Sequence, residues 1–483
     1  MADERTGVLV VGAGLAGCAA AMFLARRGVD VLLVERHQSP STHPRATGQS
    51  RRTMELLGYA GVADQITAAG DGNDDARAVT PALFGTASQD QVEPILLRRA
   101  QQDGAEIRFG AEVVGLAQDA AGVTVRLLSH WNGRITTVRS DYVVAADGHR
   151  SRIRASLGIR RHGRGSLRNT IEVVYVRRDT QDKRLMSFEY HPERGESMRD
   201  FTTDTVAGLI QLADPDADIE VEAVQAWEVG ASVADRFAAG RVFLAGDAAA
   251  TAPPDGGTSG DTAIGDAFDI AWKLAAVLDG TAAPALLDSY EAERAPSAEQ
   301  VVLAALHTAK EHTMPWLDLT GDPTPLARLA LGFGFRCRSA AVLIDDADPA
   351  PAEDPLHPSA RPGFRAPHVP LLRSGAVQVS TVELFGDGWT LLTATEGGVW
   401  HEATRSVATT LGLPIRAVGL GAGLTDPTGS LATTYGIENG GASLIRPDGV
   451  VAWRATTEPT DPAAALLAAL RRLLGLEHAT AAA

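Results

Sequence analysis

Cysteine is scarce in this chain, and its scarcity excludes two kinds of stabilisation. The 483 residues contain two cysteines, Cys18 and Cys337, which lie far apart and in no spacing typical of a metal site. We therefore expect neither a disulfide-stapled scaffold nor a cysteine-based zinc site, and we predict no metal. So few cysteines fit a reducing compartment, which predicts a cytoplasmic location.

Basic clusters and long hydrophobic runs are lacking as well. The formal net charge is -16 and no block of Lys and Arg occurs, which argues against a nucleic-acid partner. No stretch reaches the roughly 18 apolar residues that a membrane helix needs. The charged start, from Met1 to Gly7, is unlike a signal peptide. Neither a membrane nor a nucleic acid is therefore expected as a partner.

The apolar residues that are present form short runs typical of buried strands. Strands that are apolar on both faces are typical of parallel sheets covered by helices. Residues 168–240 differ, because their predicted strands have mixed polarity and suit a sheet with one solvated or pocket-facing side. The sequence therefore predicts an α/β protein with a second, mixed sheet. The buried runs are Val8–Val11, Val31–Val34, Tyr142–Ala146 and Arg241–Ala245.

Three glycines follow the first predicted strand in the pattern G-x-G-x-x-G, at Gly12, Gly14 and Gly17. The first permits a tight turn, the second lets a pyrophosphate approach the backbone, and the third permits close packing of helix against strand. Glu35 ends the next predicted strand, where a carboxylate can bind ribose hydroxyls. Together these features predict dinucleotide binding, although they do not distinguish FAD from NAD.

Two other predicted strands end in a glycine beside an aspartate. Asp147–Gly148 follows one of them and Gly246–Asp247 follows the other. An aspartate at a strand end can accept a hydrogen bond from a ribityl hydroxyl. The glycine-containing loop 253–257 precedes a long predicted helix, so its backbone N–H groups can face an anionic ring.

With these three motifs in order, the chain resembles the class A flavoprotein monooxygenases, the family that includes p-hydroxybenzoate hydroxylase. Within that family it is most similar to bacterial aromatic polyketide hydroxylases of the aklavinone 11-hydroxylase type. The resemblance runs from about Val8 to the C-terminal helix. The segments that carry it are His43–Gly48, Ser88–Pro94, Ala271–Leu278 and Arg361–His368.

The resemblance implies three parts: an FAD-binding Rossmann-like domain, a substrate domain with a mixed sheet, and a C-terminal thioredoxin-like domain. The FAD-binding domain is predicted at 1–167 and 240–345, and the substrate domain at 168–239 with a contribution from 71–90. A linker is predicted at 346–366 and the thioredoxin-like domain at 367–483. This tail contains no Cys-x-x-Cys, so its expected role is structural.

By motif, the resemblance also assigns FAD contacts to named residues. Glu35 should bind the adenosine ribose, Asp247 the ribityl chain, and Asp147 belongs to a motif linked to both the pyrophosphate and NAD(P)H. Arg45 and Gln89 should lie along the FAD and the cleft. The predicted FAD-binding set is Gly12, Gly14, Leu15, Ala16, Gly17, Glu35, Arg36, Arg45, Gln89, Asp147, Gly148, Gly246, Asp247, Pro254, Gly257 and Gly260.

The chemistry implied is NAD(P)H- and O2-dependent hydroxylation of a phenolic polycyclic substrate through a flavin C4a-hydroperoxide, in a monomer or homodimer. A phenolate reacts better than a phenol, and a guanidinium would stabilise it while a tyrosine helps to move the proton. Arg45, Tyr190 and Arg336 are therefore the predicted catalytic residues. Baeyer–Villiger oxygenation of a ketone, a non-polyketide phenol and flavin binding without turnover stay open as alternatives, as does NADPH against NADH.

The chain departs from the family's pattern at three places. Relatives often have Asn at the end of the flavin loop, which is residues 253–261 in this chain. Here Asp261 stands at that position and could cap a helix or oppose an anionic reduced flavin. Ala250 stands where many relatives have a histidine. Segments 71–86 and 177–184 look short, so either the pocket is more open here or the sequence lacks mobile segments.

Overall fold

The computed structural model describes residues 4–44, 46–69, 78–374, 377–396, 398–421 and 423–477. Arg45, a predicted site residue, and residues 71–77 of the segment that looks short lie outside these ranges. The strands of the described chain are β1 (Glu4–Val11), β2 (Val31–Glu35), β3 (Glu106–Phe109), β4 (Ala111–Asp119), β5 (Gly122–Ser129), β6 (Ile135–Ala145), β7 (Arg161–Arg177), β8 (Lys183–Tyr190), β9 (Ile219–Ala234), β10 (Ala238–Ala239), β11 (Val242–Leu244), β12 (Ala250–Thr251), β13 (Pro370–Arg373), β14 (Val377–Ser380), β15 (Trp389–Thr393), β16 (Ile415–Gly419), β17 (Leu424–Thr425), β18 (Gly440–Ile445) and β19 (Val451–Thr457).

The helices alternate with these strands in the first part of the chain. None of the helices in the described residues is both long enough and apolar enough to cross a membrane. Their bounds are α1 (Leu15–Arg26), α2 (Arg51–Tyr59), α3 (Ala63–Ala69), α4 (Gln89–Gln102), α5 (Arg152–Ser156), α6 (Thr203–Ala213), α7 (Ser259–Leu278), α8 (Asp288–His312), α9 (Arg328–Phe333), α10 (Gly398–Leu411), α11 (Leu431–Tyr435) and α12 (Pro462–Leu473).

The first sheet has a parallel centre and confirms the α/β fold that the apolar runs predicted. Its strand order is β10-β11-β6-β1-β2-β3, and β4 and β5 extend it as an antiparallel meander beside β6. The central strands β1, β2, β6 and β11 are buried, and α1 packs on the sheet and against α4 and α7. The carboxyl ends of the parallel strands β1, β6 and β11 therefore meet along one edge.

The second sheet has the order β12-β9-β7-β8, and all of its described pairings are antiparallel. It is the mixed-polarity sheet expected between residues 168 and 239. The strands extend further on both sides, because β7 begins at Arg161 and β12 lies at Ala250–Thr251. The sheet is thereby joined directly to the segment that follows the Gly246–Asp247 motif.

The two faces of β7 have different neighbours. On the outer face, Ile171 and Tyr175 pack in a cluster with α6. Thr170 and Glu172 alternate with them and lie on the opposite, inner face. Trp227, the cross-strand partner of Thr170, packs against the core of the first sheet. The inner face of the second sheet is therefore the one that faces the FAD-binding part.

The tail folds around a sheet of order β16-β15-β18-β19, in which β16 is parallel to β15 and the other pairings are antiparallel. Helix α10 connects β15 to β16, and α12 follows β19 and packs beside α10. A βαβ unit followed by a hairpin and a helix is the thioredoxin-like arrangement implied by the resemblance. Both cysteines, Cys18 and Cys337, lie outside this tail.

A buried network of charged side chains joins the tail to α7 and α8. The ammonium group of Lys273 lies 2.8 Å from Asp269 and 3.0 Å from Glu293. Arg446, which follows β18, lies 2.6 Å from Glu293 and 2.5 Å from Asp448. The three carboxylates are close enough together to hold a metal ion, but their oxygens already bind these two cations.

Candidate active site

The glycine turn between β1 and α1 is too tight for a side chain at two of its three glycines. Gly12 has a φ of +101°, and a Cβ there would lie 2.3 Å from the carbonyl oxygen of Ala146. A Cβ on Gly17 would lie 1.8 Å from the carbonyl oxygen of Gly12. At Gly14 the nearest atom would be 3.9 Å away, so the turn is open on that side. This shape fits a phosphate group at the N-terminus of α1.

Glu35 lies at the end of β2, beside the glycine turn. Its Oε2 accepts a hydrogen bond from the backbone N–H of Ala13 at 2.8 Å, and its Oε1 accepts one from that of His37 at 2.9 Å. The carboxylate is thereby fixed at the edge where a ribose would follow a bound pyrophosphate. The neighbouring Arg36 is exposed.

Asp147 and Asp247 follow the neighbouring parallel strands β6 and β11. The carboxylate of Asp147 accepts hydrogen bonds from the hydroxyl of Ser151 at 2.5 Å and from the N–H of Ile153 at 3.2 Å. These bonds hold the loop in which Gly148 has a φ of +81°. Asp247 is exposed. Because β6 lies between β1 and β11, both aspartates share one sheet edge with the glycine turn.

The segments that follow β11 pack against the first turn of α1 through two glycines. A Cβ on Gly246 would lie 2.8 Å from the Cβ of Ala16, and one on Gly260 would lie 3.2 Å from Cδ1 of Leu15. The absence of side chains here brings the flavin loop against the glycine turn. The predicted residues Leu15 and Ala16 thus act as packing partners within the site.

Between these contacts the flavin loop leaves space. Pro254 is exposed, and Gly257 has a φ of +65° with no atom within 4 Å of the position of a Cβ. Asp261 is engaged elsewhere, because its carboxylate accepts hydrogen bonds from the N–H of Ser50 at 2.9 Å and the hydroxyl of Thr53 at 2.6 Å. Burial raises the pKa of Asp261. This aspartate therefore binds the N-terminus of α2, where Ser50 is the N-cap residue.

Gln89 is the first residue of α4 and lies beside the glycine turn. Its amide nitrogen donates to Oε1 of Glu93 at 2.5 Å. The same oxygen is the atom nearest to the Cβ position of Gly14. Gln89 is thus placed where a bound dinucleotide would pass, whereas Arg45 lies outside the described residues.

Tyr190 lies on a different face from the one expected for a pocket residue. It ends β8, and its ring packs against Phe201 with the ring centroids 5.9 Å apart. This contact belongs to the cluster on the outer face, beside α6. The structure therefore does not bring Tyr190 together with the strand ends, and its catalytic role stays a prediction.

Arg336 is buried, and all five of its N–H donors already have protein acceptors. Its guanidinium binds the carboxylate of Asp346 through both terminal nitrogens, at 3.0 and 2.7 Å. It also donates to the carbonyl oxygens of Asp348 and Pro362. Arg336 thus holds the ends of the predicted linker 346–366 together, and a role in phenol binding would require these bonds to break.

One buried pair near the site was not predicted from the sequence. Nε2 of His43 lies 3.3 Å from Oε2 of Glu172 on the inner face of β7, and both side chains are buried. The carbonyl of Thr42 accepts a hydrogen bond from Lys183 of β8 at 2.9 Å. The segment that carries the His43–Gly48 motif is therefore docked on the second sheet. The motif itself was visible in the sequence, but the partner strand was not.

Family comparisons agree with this site. Residues 5–184 and 168–305 match the FAD binding domain family, and residues 359–476 match the family described as aromatic-ring hydroxylase, C-terminal. The strand-end cleft fits FAD, since Gly14 leaves room for the cofactor's phosphates and the acidic residues Glu35, Asp147 and Asp247 lie at the ends of neighbouring strands. The C-terminal match covers the thioredoxin-like tail.

Individual relatives are similar over nearly the whole chain. Aklavinone 12-hydroxylase RdmE of Streptomyces purpurascens is 44% identical over 542 residues, covering 98% of this chain and 100% of the relative. Tetracenomycin A2 monooxygenase-dioxygenase of Streptomyces glaucescens is 37% identical, covering 99% of each. A crystal structure of aklavinone-11 hydroxylase with FAD and aklavinone superimposes with a TM-score of 0.92 at 42% identity, covering 98% and 100%. The chain therefore belongs to the class A flavoprotein monooxygenases and is an FAD-dependent hydroxylase.

Proposed function

We propose that this enzyme hydroxylates a phenolic ring of a polycyclic aromatic polyketide of the anthracycline type, with consumption of NAD(P)H and O2. The observation that carries the proposal is the similarity to aklavinone 12-hydroxylase RdmE along the whole of that relative. The likeness to the aklavinone-11 hydroxylase complex with FAD and aklavinone supports it further. A reaction in the cytoplasm is consistent with both cysteines being free thiols.

The residues at the strand ends would hold FAD through complementary groups. The free N–H groups at the start of α1, next to Gly14, would bind the pyrophosphate. Glu35 would accept hydrogen bonds from the adenosine ribose, and Asp247 would accept them from the ribityl chain. When bound and reduced by NAD(P)H, FAD supplies the activation of O2, and the protein has to orient the ring and exclude water.

The substrate would lie between the inner face of the second sheet and the flavin loop. Two connections support this placement. The segment from His43 to Ser50 contacts the sheet at Glu172 and the first turn of α7 at Asp261. In addition, β12 pairs with β9 directly after the Gly246–Asp247 motif. The second sheet and the flavin loop would therefore form two walls of one cleft.

The test is turnover with defined phenols. The purified protein is expected to carry yellow, non-covalent FAD and to oxidise NAD(P)H faster when a hydroxyanthraquinone is added. The product should contain one additional oxygen, which NMR should identify as a ring hydroxyl. A lactone would instead indicate Baeyer–Villiger oxygenation, and tight FAD binding without stimulation by any phenol would indicate a flavin-binding protein. Either result would contradict the proposal.

A further inference from the structure

The inner face of the second sheet carries polar side chains where apolar ones would be expected. Thr170 and Glu172 both lie on this face of β7 and are 2% and 6% exposed. Trp227 of β9 is the direct cross-strand partner of Thr170, so the two side chains lie side by side. Buried polar groups are costly unless they have hydrogen-bond partners. This group of side chains therefore needs an explanation.

Two polar atoms of this face have no hydrogen-bond partner among the residues that the structure describes. They are Oγ1 of Thr170 and Nε1 of Trp227, and both are inaccessible to solvent. The indole nitrogen can only donate, whereas the hydroxyl can donate or accept. Two neighbouring donors could bind the oxygen atoms of a quinone or phenol. These hydrogen bonds would offset the cost of burying the two polar groups.

A histidine and a carboxylate lie close together on the same face as these two atoms. Glu172 is two residues from Thr170 on the same face, and its Oε2 is 3.3 Å from Nε2 of His43. A histidine with one ring nitrogen on a carboxylate can accept a proton at its other nitrogen, because the carboxylate stabilises the imidazolium. His43 also belongs to the segment that reaches the flavin loop through Ser50. The pair therefore lies where this segment of the chain meets the second sheet.

We propose that His43 and Glu172 form the proton-accepting pair of the substrate cleft, and that Thr170 and Trp227 bind oxygen atoms of the substrate. The phenol O–H bond breaks, its proton passes to the imidazole of His43, and the electron pair stays on the phenolate oxygen. Glu172 stabilises the imidazolium that forms. This assignment rests on the proposed function, since it presumes a phenolic substrate, and it replaces the role expected of Arg336.

The test is the colour of a bound phenol. 1,4-Dihydroxyanthraquinone absorbs at longer wavelength as a phenolate than as a neutral phenol, so its spectrum on the FAD-loaded enzyme reports ionisation without turnover. The wild-type enzyme is expected to show the phenolate band at a fixed pH at which the free probe does not. His43→Gln and Glu172→Gln should bind the probe without this band. Thr170→Val and Trp227→Phe should keep the band and weaken binding by about tenfold each.

Matched controls come from the first sheet. Thr124 lies on β5 and Trp131 in the turn that follows it, remote from the inner face. Thr124→Val and Trp131→Phe should therefore change neither the band nor the affinity for the probe. FAD content and melting temperature, measured on every variant, identify any effect that comes from lost folding.

The outcomes separate this inference from the proposed function. A wild-type enzyme that hydroxylates but binds the probe in its neutral form overturns the inference without the use of any variant. A phenolate band that persists in both His43→Gln and Glu172→Gln overturns it as well, while hydroxylation stands. If the FAD-loaded wild type binds no phenol and no phenol stimulates NAD(P)H oxidation, the proposed function itself fails.

Discussion

At the scale of single residues, the glycine turn allows the predicted FAD contacts to be tested one glycine at a time. Gly17→Ala should disrupt the turn, because a Cβ would lie 1.8 Å from the carbonyl oxygen of Gly12, and both melting temperature and bound FAD should fall. Gly14→Ala should leave the melting temperature of the FAD-free protein unchanged, since its nearest neighbour would be 3.9 Å away. Its methyl group should still weaken FAD binding by about tenfold. Thermal unfolding and FAD titration measure the two effects separately.

Gly208 provides the matched control for these variants. It lies in α6, with no atom within 4 Å of a Cβ position, and it is remote from the glycine turn. Gly208→Ala should raise the free energy of unfolding by about 0.5–1 kcal/mol and leave FAD affinity unchanged. Full FAD content together with an unchanged melting temperature in Gly17→Ala would contradict the packing argument.

Replacement of Arg336 by lysine distinguishes a structural role of this side chain from a catalytic one. Lysine cannot supply five donors in a plane, so Arg336→Lys should lower the free energy of unfolding by about 2–4 kcal/mol. The folded, FAD-loaded variant should keep the KM for the phenol and the ratio of product to NAD(P)H consumed. Arg338→Lys serves as the control, because Arg338 is exposed and its hydrogen bonds within the described residues go to backbone carbonyls. Unchanged stability with a lower product ratio would instead favour the pocket role.

At the scale of elements, Asp261 connects the first turn of α7 to the N-terminus of α2. Burial raises the pKa of its carboxyl, so the ionised form is disfavoured in the folded protein. This cost is fully present above the raised pKa and disappears as the pH falls toward the ordinary value of 3.8. Asparagine still offers an oxygen to the N–H of Ser50 without carrying a charge.

Asp261→Asn should therefore be at least as stable as the wild type in neutral buffer, with the difference vanishing in acid. Asp261→Ala, which removes the acceptor of the hydrogen bonds from Ser50 and Thr53, should lower the free energy of unfolding by about 1 kcal/mol. Urea unfolding of the FAD-free proteins across pH measures both variants. An asparagine variant that is less stable than the wild type at every pH would show that the charge of Asp261 stabilises this junction.

The elements that the sequence predicted correctly are those with local signals. The strands before Gly12, Asp147 and Gly246 were identified because each is an apolar run that ends at a glycine or an acid. The start of β7 was missed, since Gly163 and Gly165 lie inside it and glycine is depleted in strands. A local pattern also cannot show where a long-range partner lies.

The partners of His43 and Arg336 illustrate this limit. His43 meets Glu172 only because the segment after β2 docks on the second sheet, and neither residue has a local pattern that reveals the other. Arg336 was expected at the pocket on the basis of residue type and resemblance. Its fixed acceptors arise from the way in which segment 346–366 folds back on it, which depends on tertiary packing.

At the scale of the whole molecule, the buried charged network between the tail and the helices α7 and α8 should make the free energy of unfolding depend on pH. Burial raises the pKa of Asp269 to about 6. Burial alone would also raise the pKa of Glu293, but Arg446 and Lys273 outweigh it and lower that pKa below its ordinary value. The two carboxylates therefore have opposite effects on stability when they ionise.

Asp269→Asn should raise the free energy of unfolding above a pH of about 6, and the gain should disappear as the pH falls toward 3.8. Glu293→Gln should lower it by about 3–5 kcal/mol near neutrality, because the variant leaves buried cations without their partner. Denaturant unfolding as a function of pH checks both. Asp216→Asn, on an exposed loop, is the control and should change neither curve. If Asp269→Asn and Glu293→Gln lowered the free energy of unfolding equally, the predicted opposite effects of the two carboxylates would be wrong.

Residues between Thr42 and Glu55 contact the second sheet, the first turn of α7 and the tail. A shift of the tail would therefore displace the flavin loop and the inner face of the second sheet, because this stretch contacts all three. Such coupling is reciprocal, so a bound phenol should also hold the tail more firmly in place. A tail that contains no cysteine would thus tune the affinity of a distant site. The contacts that make up this linkage are His43 with Glu172, Ser50 with Asp261, and Glu55 with Arg365.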